Sequence, residues 1–145
     1  MGRCLIAVVL VSLVAALVPA SAAGSYDSDF RSVNTRLVKL GTDVNAALQS
    51  AEGKSGEAIN AEFGALAGRT RGVRRRLVRL DPPARLAKLH RRLARSLKKV
   101  AADLSTIARA GRRRDGDLGR LGASRLTRHS RTLRKTRRAL VKRTG

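Results

Sequence analysis

The spacing of apolar residues constrains this chain more than any other feature. Phe30, Val33, Leu37, Leu40, Val44 and Leu48 recur at steps of three and four. Ile59, Phe63, Leu66, Thr70, Val73, Leu77 and Leu80 repeat the pattern, with a small polar residue at Thr70. A third series is Leu86, Leu89, Leu93, Leu97, Val100, Leu104 and Ile107. A fourth starts at Leu118 and Leu121 and continues through Gly122, Leu126, His129, Leu133, Thr136 and Leu140. Such steps hold side chains on one face of a helix, and no segment sustains the period-two alternation of a strand. The prediction is all-α: four amphipathic helices over about 27–50, 56–80, 82–110 and 116–142, packed as an antiparallel four-helix bundle in a single domain, 24–145. Two long helical hairpins pairing as a coiled-coil-like dimer are the rival architecture.

The breaks between the series agree with this division. Asp81-Pro82-Pro83 separates the second helix from the third. Asp81 is expected to cap, with Pro82 at the first helical position, where its missing N–H costs nothing. Gly111 is expected to close the third helix, and Asp115 and Asp117 suit the positive end of the fourth. Gly64, Gly68 and Gly72 recur every fourth residue on the side of the second helix away from its apolar stripe. Together they cost about 3 kcal/mol relative to alanine. They predict either a weak, mobile helix or a groove for the close approach of another helix.

The first 23 residues read as a secretory signal peptide. Arg3 precedes an apolar run, Leu5 to Val18, interrupted only by Ser12. Pro19 and the small-x-small Ala20-Ser21-Ala22 follow, which predicts cleavage after Ala22 or Ala23. The run is shorter than the roughly 20 residues of a spanning helix, and an uncleaved anchor is the alternative. Either places the body of the chain outside the cytosol, as a secreted, periplasmic or cell-envelope protein. Cys4 is the single cysteine and lies before the run, so a cleaved chain has no disulfide, no thiolate nucleophile and no cysteine metal site.

Charge is distributed unevenly. Residues 69–145 hold 27 of the 32 Lys and Arg and four acids, for a net charge of +23. Residues 24–68 hold four basic and six acidic residues. Helical spacing sets the basic residues opposite the apolar stripes. The expected anion-binding surface consists of Arg74 and Arg75 on the second helix; Arg92, Arg95 and Lys99 on the third; Arg112 and Arg113 in the following loop; and Arg120, Arg128, Arg131, Lys135, Arg138 and Lys142 on the fourth. With few acids to pair, these charges repel one another and attract polyanions. Arg outnumbers Lys 25 to 7, a bias to which GC-rich coding also contributes.

Anionic polymers or lipid head groups of the envelope are therefore the expected partners. Non-specific nucleic-acid binding is one alternative. Sequence-specific recognition is not expected, because no DNA-reading motif is present and the basic half has no aromatic on which a base can stack. An assembly module packing against a helical partner protein, or a homodimer, is the other alternative.

Residues suited to catalysis are sparse. Gly53-Lys54-Ser55 resembles the end of a phosphate-binding loop, but Leu48 stands where that motif needs glycine. A hairpin turning near residue 113 would set His90 opposite Thr136 and His129 opposite Leu97. The two histidines would then lie roughly 10 Å apart along the bundle, with no carboxylate at a neighbouring turn. Each is expected to be a satisfied interfacial histidine, with a pH-sensitive, buried His129 as the alternative. No enzyme activity, catalytic residue, cofactor or metal site is expected.

The stretch Leu77-Val78-Arg79-Leu80-Asp81-Pro82-Pro83, followed by Leu86, Leu89-His90 and Leu93, resembles uncharacterised exported helical-bundle proteins of GC-rich bacteria. In these a Pro-Pro break separates two helices and a Leu-His pair opens the second. The resemblance runs from Leu77 onward. It implies a secreted helical bundle and carries no functional residues with it.

Overall fold

Tyr26, Phe30, Val33, Leu37, Leu40, Val44 and Ala47 are all buried on helix α1 (Ser21–Gln49), at steps of four and three. The computed structural model describes residues 21–144, with side chains from Ser25 onward. The signal-peptide reading therefore falls outside the described residues, except for the backbone of its last three positions. Helices α2 (Gly56–Val78), α3 (Ala84–Arg113) and α4 (Gly116–Thr144) follow, and no strand occurs among the described residues. Alternating steps of four and three form a seam that stays on one side of a helix over many turns. On α2 the seam is Phe63, Leu66, Thr70, Val73 and Leu77; on α4 it is Leu126, His129, Leu133, Thr136 and Leu140. On α3 it runs Leu86, His90, Leu93, Leu97, Val100, Leu104 and Ile107, so His90 occupies the seam position expected of Leu89, which is half-buried.

The four seams pack as an antiparallel bundle. Consecutive helices are neighbours, α3 packs extensively on both α2 and α4, and α1 lies against α2 but barely touches α4. The core falls into two clusters along the bundle axis. Tyr26, Phe30, Leu77, Leu86, Leu93 and Leu140 form one, and Leu40, Phe63, Leu66, Leu104, Ile107 and Leu126 the other. Leu133 packs against both.

Helix ends depart from the expected boundaries at the start of α1, which begins at Ser21 and not near 27, and at both ends of α3. Helix α3 starts at Ala84 with Pro83 as its N-cap and no side-chain capping bond, so neither the Asp81 cap nor Pro82 at the first helical position is formed. Gly111 does not end α3, which continues to Arg113 and places Arg112 and Arg113 in its last turn, not in a loop. The left-handed cap residue is Arg114 (φ 54°), and the Asp115 N–H donates to the Ala110 carbonyl at 3.0 Å. That is the bond pattern of a Schellman end, made without glycine. Asp115 then caps α4, its Oδ1 accepting the Leu118 N–H at 2.9 Å.

Gly111 serves close packing instead. A Cβ added there would stand 2.5 Å from the Gly56 carbonyl oxygen and 2.9 Å from Cγ2 of Ile59. The start of α2 and the end of α3 therefore meet backbone to backbone. Added Cβ atoms at Gly64 and Gly68 would meet nothing within 4 Å, so no element among the described residues uses that part of the glycine row for close approach.

Candidate anion-binding surface and buried polar pairs

The thirteen residues expected to hold anions lie on three helices, with their seams turned inward. Arg75, Arg92, Arg95, Lys99, Arg112, Arg113, Arg120, Arg128, Arg131, Lys135, Arg138 and Lys142 are exposed. Arg74 is half-buried, and its Nε is buried without a hydrogen-bond partner among the described residues. Two of the rows are regular. Arg128, Arg131, Lys135, Arg138 and Lys142 follow steps of three and four along α4, as do Arg92, Arg95 and Lys99 along α3. The thirteen do not converge on a cleft. Arg112 lines a shallow furrow between α2 and α3, Arg120 a hollow at the end of the bundle, and neither of these gathers a second member of the set.

Few of these charges are neutralised. Among the described residues, only Arg69, with Asp43, and Arg120, with Asp117, of the Lys and Arg from position 69 onward pair with a carboxylate. Both pairs are at the surface, where such contacts contribute little. Lys54 of the first connection pairs with Glu62 at 2.7 Å. Exposed like charges of this density repel through solvent, and bound anions or salt relieve the repulsion.

Both histidines have polar partners. The Tyr26 hydroxyl and His90 Nδ1 are 3.1 Å apart inside the bundle. Phe30 stacks on Tyr26, with ring centroids at 5.8 Å and planes within 4°. Burial lowers the His90 pKa below its ordinary 6.5. Burial first, and the neighbouring Asp27 carboxylate second, push Tyr26 up to about 12. A buried site disfavours the charged form of each group. With His90 neutral, the imidazole tautomer sets which of the two groups donates.

The second pair corrects the expected hairpin register. His129 Nδ1 lies 2.6 Å from Asp103 Oδ2, so His129 faces Asp103 and not Leu97. A hairpin that pairs these two residues is centred near residue 116 and not 113, which shifts the partner of His129 by six positions. Asp103 is buried on α3, and His129 is three-quarters buried. A buried carboxylate needs such a partner to offset lost hydration. The described residues contain no group of three or more His, Cys, Asp or Glu placed to hold a metal ion. None of their helices is long and apolar enough to cross a membrane.

The spacing also gave no warning of a slot between α1 and α4. Leu37, Leu40, Val44 and Leu48 of α1 line it with Leu133 of α4 and Val100 of α3. Its volume is about 180 Å³. At one end the half-buried Arg137 donates from Nη1 to Asn34 Oδ1 at 2.9 Å. No protein family, curated protein or solved structure matches the chain.

Proposed function

We propose that the chain is an exported, non-enzymatic cationic helical-bundle protein that associates electrostatically with anionic material of the cell envelope. One observation carries this reading: rows of exposed Lys and Arg on α3 and α4, almost none paired with a carboxylate among the described residues. The bundle turns its apolar seams inward, leaving charge as the main chemistry offered by these faces. Spread over three helices, the charges suit an extended polyanion or a charged surface better than one small anion. Contact through many charges gives an affinity that falls steeply with salt.

Binding of the purified protein to vesicles with anionic head groups, to a soluble linear polyphosphate and to duplex DNA, at rising salt, tests the reading. Binding to vesicles and polyphosphate at low salt, lost as salt rises, is the expected result. Absence of binding at low salt rejects it. Binding to DNA alone would favour the nucleic-acid alternative.

A further inference from the structure

The geometry points to a second site: the slot between α1 and α4 binds a single-chain anionic amphiphile, a fatty acid of medium length, with its carboxylate at Arg137 and its chain along the leucines. This site is independent of the cationic rows, none of whose thirteen residues lines it.

The slot arises because the first and last helices are not joined and barely touch. Where they pass, the residues at the mouth are short: Gly41 and Asn45 on α1, Thr127 and Ser130 on α4. None is long enough to cover the apolar floor behind them, and Leu48 and Leu133 remain half-buried there. An apolar cavity of roughly 150 Å³ stays dry and takes up benzene, with its six carbons. On that scale about 180 Å³ has room for a chain of about seven or eight carbons.

Polarity runs along the slot. The helices are antiparallel, so Leu37 lies at the Arg137 end and Leu48 at the Thr127 end. Arg134 and Arg137 are both at the Leu37 end. Arg137 is half-buried, and among the described residues its hydrogen bond is to the neutral amide of Asn34. No carboxylate pairs with Arg134 or Arg137 among the described residues. A partly desolvated guanidinium held in place without a counterion is a receptor for a carboxylate, which it binds by charge-assisted hydrogen bonds. The other end offers Val44, Asn45, Leu48 and Thr127, none of them charged, which suits the tail.

Calorimetric titration with octanoate, acetate and octyltrimethylammonium tests the assignment. The expected result is saturable one-to-one binding of octanoate, with no binding of acetate or of the cation. Gly41→Leu fills the mouth, where an added Cβ meets nothing within 4 Å, so the helix tolerates it. It should weaken octanoate at least tenfold and leave polyphosphate binding unchanged. Arg137→Gln should weaken octanoate at least fivefold. Octanoate binding that never saturates, or that is unchanged in Gly41→Leu, overturns the site. Because polyphosphate is followed in the same variants, failure of the slot and failure of the cationic surface are read separately.

Discussion

The Tyr26 hydroxyl sits 3.1 Å from Nδ1 of His90, joining the start of α1 to the first turns of α3 across 64 residues of sequence. Tyr26 is 2 % exposed and His90 5 %. Removing the hydroxyl leaves the His90 nitrogen buried and unpaired. Tyr26→Phe is expected to cost about 1–3 kcal/mol of folding stability.

His90 also makes the fold sensitive to mild acid. Its pKa is below 6.5 in the folded chain, whereas the unfolded chain takes up the proton near 6.5. The contribution of neutral His90 is whole above the unfolded pKa. It is lost as pH falls through 6.5 towards the folded value, because the unfolded state then binds more protons. The urea midpoint of the wild type should drop between about pH 7.5 and 5.5, a window in which ordinary carboxylates stay ionised. The drop should be smaller in His90→Gln. Equal drops in both would remove His90 as the cause.

The single tyrosine permits a direct check of the same pair. Its folded pKa is about 12, against 10.0 for an exposed phenol. Ultraviolet titration should show tyrosinate appearing near pH 12 in the folded protein and near 10 in denaturant. The fold gains nothing from this group in that interval: the unfolded state ionises first, so stability declines as pH rises from 10 to 12.

Two helical glycines should respond in opposite directions to the same substitution. Gly68→Ala adds a methyl group to open space and is expected to stabilise by about 0.5–1 kcal/mol, the helical cost of glycine. Gly111→Ala drives a methyl group against the Gly56 carbonyl and Ile59, and is expected to destabilise by about 1–3 kcal/mol. Thermal or urea denaturation measures both.

Asp103 and His129 form a pair between α3 and α4. A double-mutant cycle with Asp103→Asn and His129→Gln should give a coupling energy of about 0.5–3 kcal/mol, as for residues in one hydrogen-bond network. Additive single changes would show that the contact contributes no energy of its own.

The architecture was legible in the sequence because one period runs through all four helices. Its seams could be read from Val33, Leu66, Leu97 and Leu126, and each proved buried. Tyr26 was legible in principle, since it extends the Phe30 series by one step of four. It stands three or four residues past the expected cleavage site, where a chain terminus is the ordinary expectation. Gly111 misled because glycine commonly ends helices; here the space it leaves is filled by the α2 backbone, and Arg114 adopts the left-handed turn. Asp103 was missed because the pairing of α3 with α4 depends on where the turn falls, and a shift of a few residues changes every partner. The slot was not legible, because a gap between α1 and α4 arises from what short side chains at Gly41 and Ser130 fail to fill. The exposure of the basic residues followed from the seams, and their partners did not.

The central claim is that the exposed rows bind polyanions by charge. The slope of log affinity against log salt for polyphosphate tests it most directly, in the wild type and in a variant carrying Arg128→Gln, Arg131→Gln and Lys135→Gln on the outward face of α4. Each charge neutralised on a densely charged polyanion contributes roughly 0.7–0.9 to the slope. The account predicts a steep negative slope for the wild type, shallower by about 2–3 in the variant, with the fold unchanged. A flat slope, or an equal slope in both proteins, would contradict it.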